Sequence, residues 1–172
     1  AHRFHPTILR AYDIRGIFED TLTTGDAFAI GLSFISIQKQ RGLGNEVTVG
    51  RDGRLSSPVL AAALIDGLVA GGAQVSDIGC GPTPMLYFAA HELGSGGAIQ
   101  VTGSHNPPTH NGFKMVMGGL SFFGADIEEL GRVSAAGPDR TDDGGVVSRA
   151  IEEAYVDRLA AGAVATGLSV IW

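Results

Sequence analysis

The chain has little that could staple it, anchor it or charge it strongly. It holds a single cysteine, Cys80, so no internal disulfide can form, which fits a reducing cytoplasm. No apolar run reaches the ~20 residues that a membrane span requires. The opening residues His2-Arg3-Phe4-His5-Pro6 lead into no apolar stretch of the kind a secretory leader needs. Basic residues are scarce: 12 Lys and Arg stand against 18 Asp and Glu, for a formal net charge of −6, and they do not cluster. A nucleic-acid face needs a concentrated positive stripe, so neither nucleic acid nor membrane is expected as a partner. There is no P-loop and no His-Glu-x-x-His pattern. Gly79-Cys80-Gly81 has the look of an opening dinucleotide fingerprint, but the third glycine position is Pro84, which excludes it.

What is present is a chain of 172 residues, 44% hydrophobic and 17% charged, which suits one domain with a sizeable core. Residues 7–18 read as extended, with Gly16 as a break. Thr23 or Thr24 is the candidate cap of a helix running to about Arg41, because Ala27, Ile30, Phe34 and Ile37 recur at helical spacing before Gly42. Val47-Thr48-Val49 is a short strand feeding the polar loop Gly50-Arg51-Asp52-Gly53-Arg54. Ser57 as a cap with Pro58 in the first turn opens an apolar helix to Gly71, and Thr83 with Pro84 repeats that cap-plus-proline start in a helix to Leu93. Strands are predicted over 74–78, 96–101 and 113–117, and helices over 125–135 and 150–161. Residues 137–145, with Pro138, Asp139, Asp142 and Asp143, read as an exposed polar loop.

Strand and helix alternate, which predicts an α/β fold: a three-layer βαβ sandwich with helices on both faces of a largely parallel sheet, with a possible mixed edge. Ligands in such sheets bind beyond the carboxyl ends of the strands. The loops at 51–54, 79–83 and 102–111 all follow strands and should gather at one edge. Leu168-Ser169-Val170-Ile171-Trp172 starts a further strand and position 1 is Ala, so the sequence reads as cut from a longer protein.

The most informative stretch is Val101-Thr102-Gly103-Ser104-His105-Asn106-Pro107-Pro108-Thr109-His110-Asn111-Gly112. Gly103 permits a sharp turn and the two prolines fix local dihedrals. Ser104 is therefore displayed at a strand tip, with Lys114 close behind. A serine-hydrolase elbow would need glycine at 102 and 106, where Thr102 and Asn106 stand. His105, adjacent in sequence, is expected to project away from Ser104, and no triad is evident. Two readings of the bare residues stand together: a tight turn with local hydrogen bonds, or a site for phosphoryl chemistry, which asks for a fixed donor and nearby cations. Arg10, Tyr12, Asp13 and Arg15 form a second polar group. Arg15 could grip phosphate oxygens in a bidentate manner, or the group could be an edge strand with alternating polar residues.

Five motifs occur in order: Ala11-Tyr12-Asp13-Ile14-Arg15-Gly16, Val49-Gly50-Arg51-Asp52-Gly53-Arg54, Pro82-Thr83-Pro84, Thr102-Gly103-Ser104-His105-Asn106-Pro107 and Asn111-Gly112-Phe113-Lys114. Together they resemble the N-terminal domain of the α-D-phosphohexomutases, in the spelling of the bacterial phosphomannomutase/phosphoglucomutase branch. The resemblance covers most of the chain. It implies that Ser104 carries a phosphoryl group to and from a mannose or glucose phosphate through a bisphosphate intermediate. It also implies that this phosphate ligates Mg²⁺, that Lys114 stabilises charge or handles a proton, that His105 supports, and that Tyr12 and Arg15 face the substrate. Arg51 and Arg54 match a rim loop whose role is structural or catalytic.

The resemblance further implies that residues 1–150 are the phosphoserine domain and that 151–172 form a linker helix and the first strand of a truncated second domain. The family's Asp-Gly-Asp metal loop, sugar-reading loop and second phosphate loop are not in this sequence. Hard cations want several oxygen ligands, so these residues alone are expected to have little or no mutase activity. The remaining domains of the same protein are expected as partners, in the cytoplasm. The alternative is a non-catalytic phosphosugar-binding or assembly module.

Overall fold

The computed structural model describes residues 1–141 and 143–162. Asp142 and the strand expected over Leu168–Trp172 lie outside the described residues. The elements are β1 (Ile14–Ile17), α1 (Thr24–Gln40), β2 (Glu46–Arg51), α2 (Ser57–Ala70), β3 (Gln74–Cys80), α3 (Thr83–Glu92), β4 (Gly97–Val101), β5 (His110–Met117), β6 (Leu120–Ser121), α4 (Ala125–Ala136), β7 (Gly145–Ser148) and α5 (Glu152–Ala160).

The sheet order is β1-β5-β4-β2-β3-β7, with β6 added beside β5. Strands β4, β2, β3 and β7 run parallel, joined by helical crossovers, while β1, β5 and β6 pair antiparallel. The expected sandwich is therefore present, with an antiparallel side wider than one edge strand. The reason lies in the 102–109 connection, which is too short for a crossover, so β5 must fold back on β4.

Strand alternation divides the core between the two faces. One face buries Val47, Val49, Ile99, Val101, Phe113 and Met115 against Ile30 and Phe34 of α1, Leu60 and Leu64 of α2 and Leu130 of α4. The other face carries a smaller cluster, in which Met85, Leu86 and Ala89 of α3 pack on Ile78 and Ala98, with Tyr155 of α5 at its margin. Phe88 and Tyr155 hold α3 and α5 together, their ring centroids 5.7 Å apart. Over β5 and β1 this second face has no helix among the described residues. Successive residues of β5 thus differ in surroundings: Phe113 and Met115 are buried, whereas Lys114 is half-exposed.

Several local expectations change. Residues 6–8 form a turn, and only 14–17 of the N-terminal segment is strand. Gly16 does not break that strand; it sits within it, where a Cβ would come within 2.8 Å of Leu22 Cβ. Thr23 does cap α1, in a capping box with Asp26. Ser57 and Thr83 cap nothing, since the N-cap positions are Ser56 and Pro82 and neither makes a side-chain cap bond. The polar loop ends at Gly144, and β7 follows as a strand along β3, with Val146 and Val147 half-exposed.

Helices α1 and α2 approach closely through glycine. A Cβ at Gly67 would lie 2.0 Å from the Phe28 carbonyl oxygen, and one at Gly31 would lie 2.2 Å from that of Leu64. Alanine is the better helix former by ~1 kcal/mol, but backbone atoms cannot rotate out of the way. Gly67→Ala is therefore expected to lower stability by about 1–3 kcal/mol. Urea unfolding followed by circular dichroism checks the sign: an increased midpoint would show that the helices separate without cost.

Candidate functional site

Strand β4 delivers buried Thr102 and Gly103 to the sheet edge, and the chain then turns at Ser104, whose φ of 53° is left-handed. Serine does not favour that conformation, so its neighbours must hold it. The Ser104 N–H donates to Thr102 Oγ1 at 2.9 Å, and the Asn106 N–H donates to the Gly103 carbonyl at 3.1 Å. Asn111, fully buried at the start of β5, donates through Nδ2 to the hydroxyls of Ser56 and Ser57 at 2.8 and 2.9 Å. The loop is thereby fixed to the first turn of α2 as well as to its own strand.

Behind the loop lies Asp52. Its Oδ1 accepts from the Arg54 N–H at 3.1 Å and from the Ser57 hydroxyl. Its Oδ2 accepts from Thr102 Oγ1 at 2.9 Å and the Gly103 N–H at 3.1 Å, and Arg54 Nε stands 3.4 Å away. Burial pushes this carboxyl up, but the donors from Ser57, Arg54, Thr102 and Gly103 outweigh it and hold Asp52 below the ordinary 3.8. Arg54 in turn donates to the carbonyls of Ser104, Asn106, Pro107 and His110. Arg51, the other arginine of that motif, makes no contact with the loop in this network.

In front of Ser104 opens a cleft of about 600 Å³, lined by Arg10, Tyr12, Asp13, Arg15, Ser104, His105 and Lys114, with Tyr87, Met115, Ser121, Phe122 and Phe123. Four sequence-predicted site residues from β1, β5 and the loop thus meet on the helix-free face, and Tyr12 joins them. Ser104 Oγ is 3.2 Å from His105 Nδ1. The expectation that His105 projects away fails because a left-handed residue abandons the alternation of an extended chain. Lys114, opposite Gln100 in the β4–β5 register, is half-exposed and lines the cleft. Tyr12 is 82% exposed and stacks on Phe123 with centroids 6.3 Å apart. Three cations, Arg10, Arg15 and Lys114, face one carboxylate, Asp13, in a chain that is acidic overall.

Arg15 is placed differently from a free phosphate clamp. It is 7% exposed, with Nη2 paired to Asp13 at 2.5 Å and Nη1 donating to the Gly103 carbonyl at 3.3 Å. Its Nε has no partner and is itself buried, so that donor is not exposed to an anion in the cleft. Sequence reasoning did not assign Asp52, Thr102 or Asn111 to the site, although an Asp two residues before Arg54 is an Asx-turn signal. Phe123 and Tyr87 carried no signal, since they arrive through tertiary packing.

A family profile described as phosphoglucomutase/phosphomannomutase, alpha/beta/alpha domain I, matches residues 6–137. The chain belongs to the phosphoglucomutase/phosphomannomutase family. A phosphomannomutase/phosphoglucomutase of Pseudomonas aeruginosa is 51% identical over 124 residues, covering 72% of this chain and 27% of the relative. A phosphoglucomutase of Neisseria gonorrhoeae is 42% identical over 154 residues, covering 88% of this chain and 33% of the relative. The crystal structure of a phosphoglucomutase/phosphomannomutase family protein from Burkholderia thailandensis superposes with a TM-score of 0.85 at 41% identity, covering 92% of this chain and 36% of that one. The chain thus spans about a quarter to a third of the length of these family members.

Among the described residues no helix is long and apolar enough to cross a membrane, and no three His, Cys, Asp or Glu side chains converge to hold a metal ion. The side-chain oxygens among the lining residues are few: the Ser104 and Ser121 hydroxyls, the Tyr12 and Tyr87 phenols and an Asp13 already paired with Arg15. They do not by themselves make a Mg²⁺ site.

Asp52 gives a pH prediction. Its folded pKa is depressed, so its contribution to stability is complete above the ordinary carboxylate range and is lost as pH falls through the folded value. Asp52→Asn places an amide against several of the same donors, and is expected to cost about 1–3 kcal/mol at pH 7. Thermal melts from pH 7 to pH 2.5 should show that difference shrinking below about pH 4. A constant difference would mean that the carboxylate charge contributes nothing.

Proposed function

We propose that this chain is the phosphoryl-carrying part of a hexose-phosphate mutase, with Ser104 as the carrier. The observation that supports it most is the left-handed Ser104, held by its neighbours at the mouth of a cationic cleft, with an imidazole nitrogen 3.2 Å from its hydroxyl. In the forward half-reaction a hydroxyl of a mannose or glucose phosphate attacks the phosphorus of phospho-Ser104. The new P–O bond forms on the sugar while the bond to Ser104 Oγ breaks, giving a hexose bisphosphate. In the return step Ser104 Oγ attacks the other phosphorus and the bond from that phosphorus to the sugar oxygen breaks. The departing oxygen regains from solvent the proton that the attacking sugar hydroxyl gave up in the forward step, releasing the isomeric hexose phosphate. His105 Nδ1 is placed to take the Oγ proton in the return step and to give it back when Oγ leaves. Lys114, Arg10 and the positive charge of Arg15 offset charge spread over the phosphoryl oxygens. Tyr12, stacked on Phe123, offers an aromatic face at the cleft mouth for the apolar side of a sugar ring.

A Mg²⁺ ion would take one ligand from the phosphoryl group on Ser104 and the others from beyond the described residues. The same holds for the rest of the sugar-binding surface: residues 1–150 would be the phosphoserine domain and 151–172 the start of the next. The exposed free Cys80 fits a cytoplasmic protein. The 172 residues alone would have little or no mutase turnover.

The test uses the protein at the full length of its relatives, incubated with glucose 1,6-bisphosphate. Intact mass should increase by one phosphoryl group, located on Ser104 and absent from Ser104→Ala, whose turnover should fall by at least about 1,000-fold. Undiminished turnover in Ser104→Ala would overturn the assignment. Calorimetry of the 172-residue chain with mannose and glucose phosphates addresses the binding-module alternative, which requires micromolar affinity without the other domains.

A further inference from the structure

The Arg54 guanidinium uses its whole donor edge on the backbone of one loop. Nη1 donates to the carbonyls of Pro107 at 2.7 Å and His110 at 3.0 Å. Nη2 donates to the carbonyls of Ser104 at 2.9 Å and Asn106 at 2.6 Å. Nε stands 3.4 Å from Asp52 Oδ2, and the group packs so tightly on Gly103 that a Cβ there would lie 2.2 Å from Nε. Four carbonyls that would otherwise splay apart converge on one planar cation.

Two of these contacts bear on Ser104 itself. Its carbonyl is held by Arg54, and its N–H by Thr102 Oγ1, which Asp52 holds in turn. With both of its peptide groups fixed, the residue keeps a φ of 53°; with φ set the direction of Cβ follows, and from there Oγ reaches His105 Nδ1 at 3.2 Å. Released from the clamp, a serine relaxes toward the favoured negative-φ regions, and its hydroxyl swings away from His105 and the cleft.

We infer that Arg54 is the positioning residue of the reaction: it presets the Ser104 hydroxyl in line for transfer without touching the sugar. This rests on the reading of Ser104 as phosphoryl carrier. Lysine cannot replace arginine here. A single ammonium has three donors radiating from one nitrogen, whereas the four carbonyls need two nitrogens in a fixed fork. A misplacement of about 1 Å at a reacting atom costs on the order of 100-fold in rate. Substrate binding elsewhere in the cleft does not require the fork.

The experiment compares wild type, Arg54→Lys and Arg54→Ala in the full-length protein. Single-turnover phosphorylation of Ser104 by glucose 1,6-bisphosphate, steady-state kcat and KM, and Tm are measured on each. Arg54→Lys is expected to lose about 100-fold in phosphorylation rate and kcat, with KM within about 3-fold of wild type. Millimolar methylguanidinium should restore Arg54→Ala several-fold at unchanged Tm, which a merely structural role does not produce. Arg54→Lys that phosphorylates Ser104 within about 3-fold of the wild-type rate overturns the inference. Wild type that takes no phosphoryl group on Ser104 overturns the carrier reading itself, and that arm is scored before the variants. Should Arg54→Ala fail to fold, Arg54→Lys, which keeps the charge and most of the volume, decides alone.

Discussion

The interlock of Asp52 and Arg54 is the constraint on which the site depends. Asp52 gathers donors from its own loop, from the first turn of α2 and from the 102–103 corner, while Arg54 gathers acceptors from residues 104–110. Each side chain would be costly if left unpaired in a half-buried position. Together they join two loops that end adjacent parallel strands. The stiffness of the serine loop is thus only partly a property of its prolines. It comes largely from the loop after a neighbouring strand, where Asp52 and Arg54 stand one and three residues beyond the end of β2. A turn held this way can keep a serine in a backbone conformation that serine alone does not favour.

The sheet supplies the second condition, an open face. Parallel sheets are normally covered on both sides, and β2, β3 and β4 are. The antiparallel return of β5 moves β5 and β1 to the margin of α3, which lines the cleft only through Tyr87, so Lys114 is left half-exposed with no helix packed over it among the described residues. A second cavity of about 590 Å³ continues along the same face beside Tyr87 and Ser121. The cleft is the uncovered part of an α/β sandwich, and two of its three cations, Arg15 and Lys114, are strand residues.

How much of this was legible in the sequence depends on the range of the forces involved. The Ser104 loop was, because Gly103, Pro107 and Pro108 punctuate the chain locally. Helix α1 was, because Thr23, Asp26 and the apolar repeat sit within a few turns. The burial of Arg15 was not: it follows from β1 pairing with β5 across most of the chain. Ser57 looked like a cap and instead serves Asp52 and Asn111, a choice made by residues far away in sequence. His105 was misplaced by assuming an extended backbone at the one residue where it is left-handed. β7 was hidden because its half-exposed valines follow a glycine pair and lack the pattern of a buried strand.

The charge distribution explains why a chain this acidic can still present a phosphate-shaped site. Arg54 is consumed by carbonyls and Asp52, and Arg15 is mostly consumed by Asp13 and Gly103, so neither acts as a free surface charge. Their pairing removes the long-range repulsion that several clustered cations would suffer, while leaving Arg10 and Lys114 to face the cleft. A site with every cation unpaired would attract phosphate strongly and release it slowly. A carrier that must accept and return the same group benefits from modest, fixed positive charge. If Ser104 is such a carrier, geometry rather than charge density would set its performance, and the loop clamp would matter more than one additional arginine in the cleft.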